Sequence, residues 1–206
     1  IPRGINPLGG EISVLNKVPE IFTVFENRAG DEPVDTMISK DIYPFGYPRV
    51  LMTDKLCSGR LCEAITSADI DGDGFDENII LGIREDRDDE SVIRIIQDEK
   101  EGYAVPLQYL GIAPSYVFNA LIKAGDIDND GKEELVLFST NKNCFFAFDV
   151  NSSSNSTLAS ISNTDVSYND FAIEDLDGDG VDEIAAVGLR SGHDVSEFFL
   201  YDYGPR

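Results

Sequence analysis

The chain has 206 residues, 42 % of them apolar, and a formal charge of −23 from 39 acidic against 16 basic side chains. That length suits one domain or a compact array of repeats with a core of its own. So acidic a surface repels phosphate backbones and excludes nucleic-acid recognition through a basic footprint. The apolar runs are short (Ile79 to Ile83, Leu135 to Phe138, Ile184 to Val187), and none approaches the roughly 20 residues that a membrane-spanning helix needs.

Residues 1–62 read as strands of a blade-like unit, with candidates at Glu11 to Leu15, Glu20 to Glu26 and Val34 to Ile42. The opening Ile1-Pro2, without Met or a signal-like apolar core, is expected of a processed or excised chain. Tyr43-Pro44-Phe45-Gly46-Tyr47-Pro48 reads first as an aromatic loop packed on a sheet and second as a platform for sugar or protein. Cys57 and Cys62 flank a turn at Gly59, a spacing that a hairpin disulfide bridges in an oxidising compartment.

Residues 63–206 repeat one grammar three times, in units of about 63–119, 120–168 and 169–206. Each repeat has the form D-h-D-x-D-G-x-x-E, with h aliphatic, followed by an apolar run. The first runs from Asp69 to Glu77, the second from Asp126 to Glu134 and the third from Asp175 to Glu183. The first aspartates are 57 and 49 residues apart. A period near 50 with strand-like filler is the mark of a blade array, not of a helical solenoid. The filler strands are Ser91 to Ile96, Cys144 to Phe148 and Glu197 to Tyr201, bounded by turns such as the charged run Glu85 to Glu90. No window keeps a helical period, so the expected fold is all-β: about four four-stranded antiparallel blades, β-propeller-like, closed or open.

Cys144 sits in an apolar strand and reads first as a buried thiol and second as a partner in an intermolecular bridge. The Ser/Asn-rich stretch 151–163 reads as a surface loop, with glycosylation acceptors at Asn151 and Asn155. The single histidine, His193, rules out a two-His metal centre and lies in a polar Arg190-to-Asp194 segment that reads as a solvated turn. No carboxylate pair stands apart from the loops as an acid/base couple, so no catalytic residue is assigned and no enzyme activity is expected.

The loop grammar suits a hard cation. Carboxylates at positions 1, 3 and 5 turn to one centre, glycine at position 6 permits the sharp turn, a carbonyl at position 7 faces inward, and a carboxylate at position 9 closes the shell. Oxygen ligands in that number favour Ca²⁺ over zinc, and the loop size favours it over magnesium. The aliphatic at position 2 (Ile70, Ile127, Leu176) is expected to fasten each loop to the core. An EF-hand needs a bidentate Glu at position 12, where this chain has Ile80, Leu137 and Ala186.

The three segments resemble the FG-GAP or VCBS-type repeat of integrin-α-like β-propellers, in which the same nine-residue calcium loop joins the first two strands of a blade. The resemblance implies about three Ca²⁺ sites. Their ligands would be Asp69, Asp71, Asp73, the Phe75 carbonyl and Glu77; Asp126, Asp128, Asp130, the Lys132 carbonyl and Glu134; and Asp175, Asp177, Asp179, the Val181 carbonyl and Glu183. It further implies an extracellular or cell-surface module for adhesion or for binding protein or glycan, with calcium in a structural role. Two other functions remain open: a subunit of a surface assembly, joined to copies of itself through unpaired blade edges, and a non-catalytic part of a polysaccharide-active or phosphodiesterase enzyme.

Overall fold

A computed structural model describes residues 5–15, 18–27, 36–42, 49–52, 62–84, 90–97, 100–117, 119–150 and 155–203. Among them every regular element is a strand, apart from two 3-10 turns at Leu107–Leu110 and Pro114–Tyr116. The strands form four antiparallel sheets, each built from strands consecutive in sequence. The first holds β1 (Ile5–Leu15), β2 (Val18–Asn27), β3 (Thr36–Ile42) and β4 (Arg49–Met52). The second holds β5 (Cys62–Ala68), β6 (Glu77–Arg84), β7 (Glu90–Gln97) and β8 (Lys100–Pro106). The third holds β9 (Ala120–Gly125), β10 (Glu134–Ser139), β11 (Cys144–Val150) and β12 (Asn155–Ser162). The fourth holds β13 (Val166–Glu174), β14 (Glu183–Arg190) and β15 (Ser196–Tyr201). First strands meet in chain order: β1 touches β5, β5 touches β9 and β9 touches β13.

The core lies between sheets, and β10 shows why. Its six residues, Glu-Leu-Val-Leu-Phe-Ser, are all buried, as a strand covered on both faces must be. Period-two alternation divides them. Leu135 and Leu137 join Ile79, Leu81, Ile93 and Ile95 of the second sheet in one apolar cluster. Val136 and Phe138 join Phe171, Ile184 and Ala186 of the fourth sheet in another. The first cluster is mainly aliphatic and the second is aromatic. Phe138 stacks on Phe145 with ring centroids 4.7 Å apart, and Phe145 meets Tyr168 and Phe171 edge-on at 5.0 and 5.3 Å. Each such side chain contributes about 1.5–3 kcal/mol by leaving water, so consecutive sheets stabilise one another more than any sheet could stabilise itself.

A polar contact joins the third and fourth sheets at the ends remote from the acidic loops. Asn143, in the β10–β11 turn, adopts φ 52°, a left-handed conformation that asparagine tolerates. Its Nδ2 donates to the Asn163 and Val166 carbonyls, and its Oδ1 accepts from the Tyr168 amide at 2.8 Å.

Most expected strands lie where the sequence places them, with longer ends. β13 begins at Val166, so its strand spans the expected unit boundary at residue 168. Cys144 is buried and free, and burial pushes its thiol up to about 11 against the opposing pull of Lys142. The Tyr43–Pro48 segment, the charged run at 85–89, Asn151 and Cys57 lie outside the described residues, and so does a Cys57–Cys62 bridge. Asn155 opens β12 and is exposed.

Candidate metal centre

In each of the last three sheets the acidic loop joins the first strand to the second: residues 69–76 between β5 and β6, 126–133 between β9 and β10, and 175–182 between β13 and β14. The three loops share one hydrogen-bond pattern. The carboxylate at position 1 caps the turn from within. Asp69 accepts from the Gly72, Asp73 and Gly74 amides at 2.8, 3.0 and 2.8 Å. Asp126 accepts from Asp130 and Gly131, and Asp175 from Gly178 and Gly180, at 2.7–3.1 Å. These are Asx-type turns, in which a short carboxylate satisfies the amides that a tight bend leaves over. The carboxylate at position 9 accepts from the amide at position 2: Glu77 from Ile70 at 3.2 Å, Glu134 from Ile127 at 3.0 Å and Glu183 from Leu176 at 2.9 Å.

Folding the loop this way crowds the acids. In every loop the carboxylates at positions 1, 3 and 9 have ligand oxygens within 4.8 Å of one another: Asp69, Asp71 and Glu77; Asp126, Asp128 and Glu134; Asp175, Asp177 and Glu183. The glutamate is buried in every triad, and in the second Asp128 is buried with it. Burial, then the charge of Asp71, raises Glu77 to about 7; burial, then Asp128, raises Glu134 to about 8. Asp73, Asp130 and Asp179 at position 5 stand outside the triads, and each accepts instead from the amide at position 7, that of Phe75, Lys132 or Val181. The donor set is entirely oxygen and the oxygens converge, which fits a hard cation and gives no soft ligand for zinc or copper.

One expected anchor is corrected. Ile70 and Ile127 at position 2 are buried, but Leu176 is half exposed. Position 2 packs against the following sheet, as Ile127 does within the aromatic cluster, and among the described residues no sheet follows the fourth. His193 lies in the exposed turn after β14, with its Nδ1 2.7 Å from Glu197 Oε1.

Two features of the loops escape the D-h-D-x-D-G-x-x-E reading. Position 4 is left-handed in all three (Gly72 φ 78°, Asn129 φ 59°, Gly178 φ 83°), as is position 6. Position 8 is always acidic (Asp76, Glu133, Asp182), and in the second and third loops it joins the loop to the one before. The Asp69 amide donates to Glu133 Oε2 at 2.9 Å and the Glu133 amide to the Asp69 carbonyl at 3.0 Å. Asp126 and Asp182 repeat both bonds at 2.9 Å. The signal was the shared acid at position 8, which a ligand count alone does not explain.

Fold and site together define an all-β array whose antiparallel sheets carry an acidic, cation-compatible loop between their first and second strands. Residues 126–186, from the second acidic loop to the start of β14, match the FG-GAP-like repeat family. No curated protein matches the chain. No helix among the described residues is long and apolar enough to cross a membrane.

Proposed function

We propose that the chain is an extracellular, β-propeller-like binding module whose three acidic loops hold Ca²⁺ as a structural ion. The observation that carries the reading is the threefold recurrence of one carboxylate triad, at positions 1, 3 and 9, with its glutamate buried. Adjacent carboxylates about 4 Å apart repel by ~1 kcal/mol per pair even in bulk water. A divalent cation converts that repulsion into attraction. Asp69, Asp71 and Glu77, with their counterparts in the other loops, would hold it. Asp73, Asp130 and Asp179 and the carbonyls of Phe75, Lys132 and Val181 would complete the shell.

The metal's contribution is charge. The chain's own residues do the rest: position 1 shapes the turn, position 9 ties the loop to its own amide at position 2, and position 8 ties the second and third loops to the one before. Such a scaffold presents the opposite loop ends for contact with protein or glycan and assigns no residue to catalysis. Asn155, exposed at the start of β12, is the accessible glycan acceptor of the reading. The test is thermal unfolding with excess Ca²⁺ and after chelation. A lower midpoint without calcium is expected, and an unchanged melt once metal removal is confirmed by elemental analysis would sink the structural role.

A further inference from the structure

A cleft of about 410 Å³ opens between the third and fourth sheets, at the ends remote from the acidic loops. It is bounded by Asn143 in the β10–β11 turn, by Thr164 to Ser167 at the start of β13, and by Leu189 to His193 at the end of β14. Its volume falls within the roughly 300–1,000 Å³ of small-molecule sites, which favour the junction of packed units.

Backbone and amide bonds hold its walls. Asn143 ties the third sheet to Asn163, Val166 and Tyr168. The Ser191 amide donates to the Asp165 carbonyl at 2.6 Å, and the Asp165 amide to Asn163 Oδ1 at 2.9 Å. The His193 amide closes its turn on the Arg190 carbonyl at 3.0 Å. Walls fixed before a ligand arrives need no ordering when it binds.

Glu197 orients the two nitrogen-bearing side chains of the cleft. Its Oε2 accepts from Arg190 Nε at 2.9 Å, and its Oε1 lies 2.7 Å from His193 Nδ1. The Phe199 ring centroid lies 5.4 Å from the guanidinium carbon. With Nε bonded and one face covered, Arg190 has its Nη groups, a rigid pair of donors, to offer a ligand. Asp165 supplies an exposed acceptor beside the hydroxyls of Thr164, Ser167 and Ser191, and Leu189 adds an apolar surface that is 42 % exposed. The repeat itself requires none of this. Glu197 pairs with Gly188 in the register, where the earlier sheets pair Val92 with Gly82 and Cys144 with Ser139. Val92 and Cys144 are buried and carry no charge to orient an arginine.

We infer that this cleft binds a neutral saccharide, with Asp165 accepting from sugar hydroxyls, Arg190 donating to them and Leu189 against the apolar face of the ring. A hydroxyl both donates and accepts, so adjacent hydroxyls satisfy a carboxylate and a guanidinium side by side. An anionic ligand would satisfy Arg190 alone and meet the repulsion of Asp165 and of a chain at −23. A peptide is recognised best through a strand edge, whereas this lining lies between turns and offers side-chain hydroxyls and charges. The inference rests on the reading of the chain as a binding module and gives that reading a ligand class.

The test is affinity electrophoresis of the full chain, in calcium, through gels holding soluble β-glucan, galactomannan, xylan or glycol chitin, with polygalacturonate as the acidic counterpart. Retardation by at least one neutral polymer and none by polygalacturonate is expected. Asp165→Asn keeps the side-chain volume and both backbone bonds, and Arg190→Met removes the donors. Each should weaken binding at least about tenfold, with near-ultraviolet dichroism unchanged. Glu197→Ala should also weaken binding, and Glu197→Gln, which keeps an acceptor for Arg190, should restore most of it at a similar thermal midpoint. No retardation by any neutral polymer overturns the inference and leaves these loop ends to protein. Retention of polygalacturonate in preference overturns it in favour of an anionic ligand. Neutral binding that survives both Asp165→Asn and Arg190→Met overturns the assignment of the cleft while the binding-module reading stands. The structural role of calcium is judged by the melt with and without chelator, so the two fail separately.

Discussion

Glu133 and Asp69 bind each other in both directions across two sheets: the Asp69 amide donates to the Glu133 side chain at 2.9 Å, and the Glu133 amide donates to the Asp69 carbonyl at 3.0 Å. Asp69 also shapes the first loop from within, so a single residue links the geometry of one acidic loop to the placement of the next. Burial raises the Glu133 carboxyl, opposed by its bond from Asp69 and reinforced by the charges of Asp76, Asp69 and Asp182. Order in one loop thereby favours order in its neighbour.

The clasp predicts a contrast between two substitutions. Glu133→Ala leaves a half-buried amide without its acceptor and should cost about 1–3 kcal/mol. Glu133→Gln keeps an acceptor oxygen and relieves repulsion from the neighbouring acids, so it should cost well under that. Urea unfolding of both variants in calcium checks the order. Equal stability of wild type and Glu133→Ala would show that the clasp contributes nothing.

Calcium binding should release protons. In the metal-free chain the Glu77 and Glu134 carboxyls lie near 7 and 8, raised by burial and then by Asp71 and Asp128. An acid raised on folding is neutral in both states at low pH. The unfolded chain ionises it first, so its contribution to stability is intact below about 4.5, declines as pH rises, and is fully lost above about 7 to 8. A cation selects the ionised form and must expel the proton. Titrating calcium at pH 6 in two buffers of different ionisation enthalpy should give different apparent heats, and identical heats would contradict the linkage.

Gly131, at position 6 of the second loop, has φ 85°, and a Cβ added there meets nothing within 4 Å. Any cost of Gly131→Ala is therefore backbone strain, about 1–2 kcal/mol for a left-handed L-residue, which should weaken calcium at that loop by roughly tenfold. Asn129→Gly, at φ 59°, should leave affinity within about twofold, because glycine adopts that conformation at no steric cost. Calorimetric titration of the two variants separates them, and equal affinities would remove strain as the explanation.

The acidic ligand phase, the three units and the strand-loop-strand order were legible because each obeys a local rule: carboxylates at alternate positions, glycine at the bend, apolar runs between turns. What depends on two sheets at once was not. Asn143 looks like an ordinary turn residue, yet it holds Asn163, Val166 and Tyr168 of the following segment. Position 8 looks like one more acid among 39, and only the neighbouring loop reveals its partner. The anchoring expected of Leu176 failed for the same reason, since the residue at position 2 packs on a surface outside its own unit.

That failure yields the sharpest stability prediction. Ile127 and Leu176 occupy the same loop position and differ in little but their surroundings. Ile127 is buried in the aromatic cluster, whereas Leu176 is half exposed. Truncating Ile127 to Ala deletes packed methyl groups and leaves a cavity between the third and fourth sheets, at a cost of about 2–5 kcal/mol. Truncating Leu176 to Ala removes side-chain atoms already largely in water and should change stability by no more than about 0.5 kcal/mol. Equilibrium unfolding of the two variants decides the matter. Comparable losses would mean that position 2 stabilises its own loop and not the interface with the next sheet, and the account of the core as a property of sheet pairs would have to be abandoned.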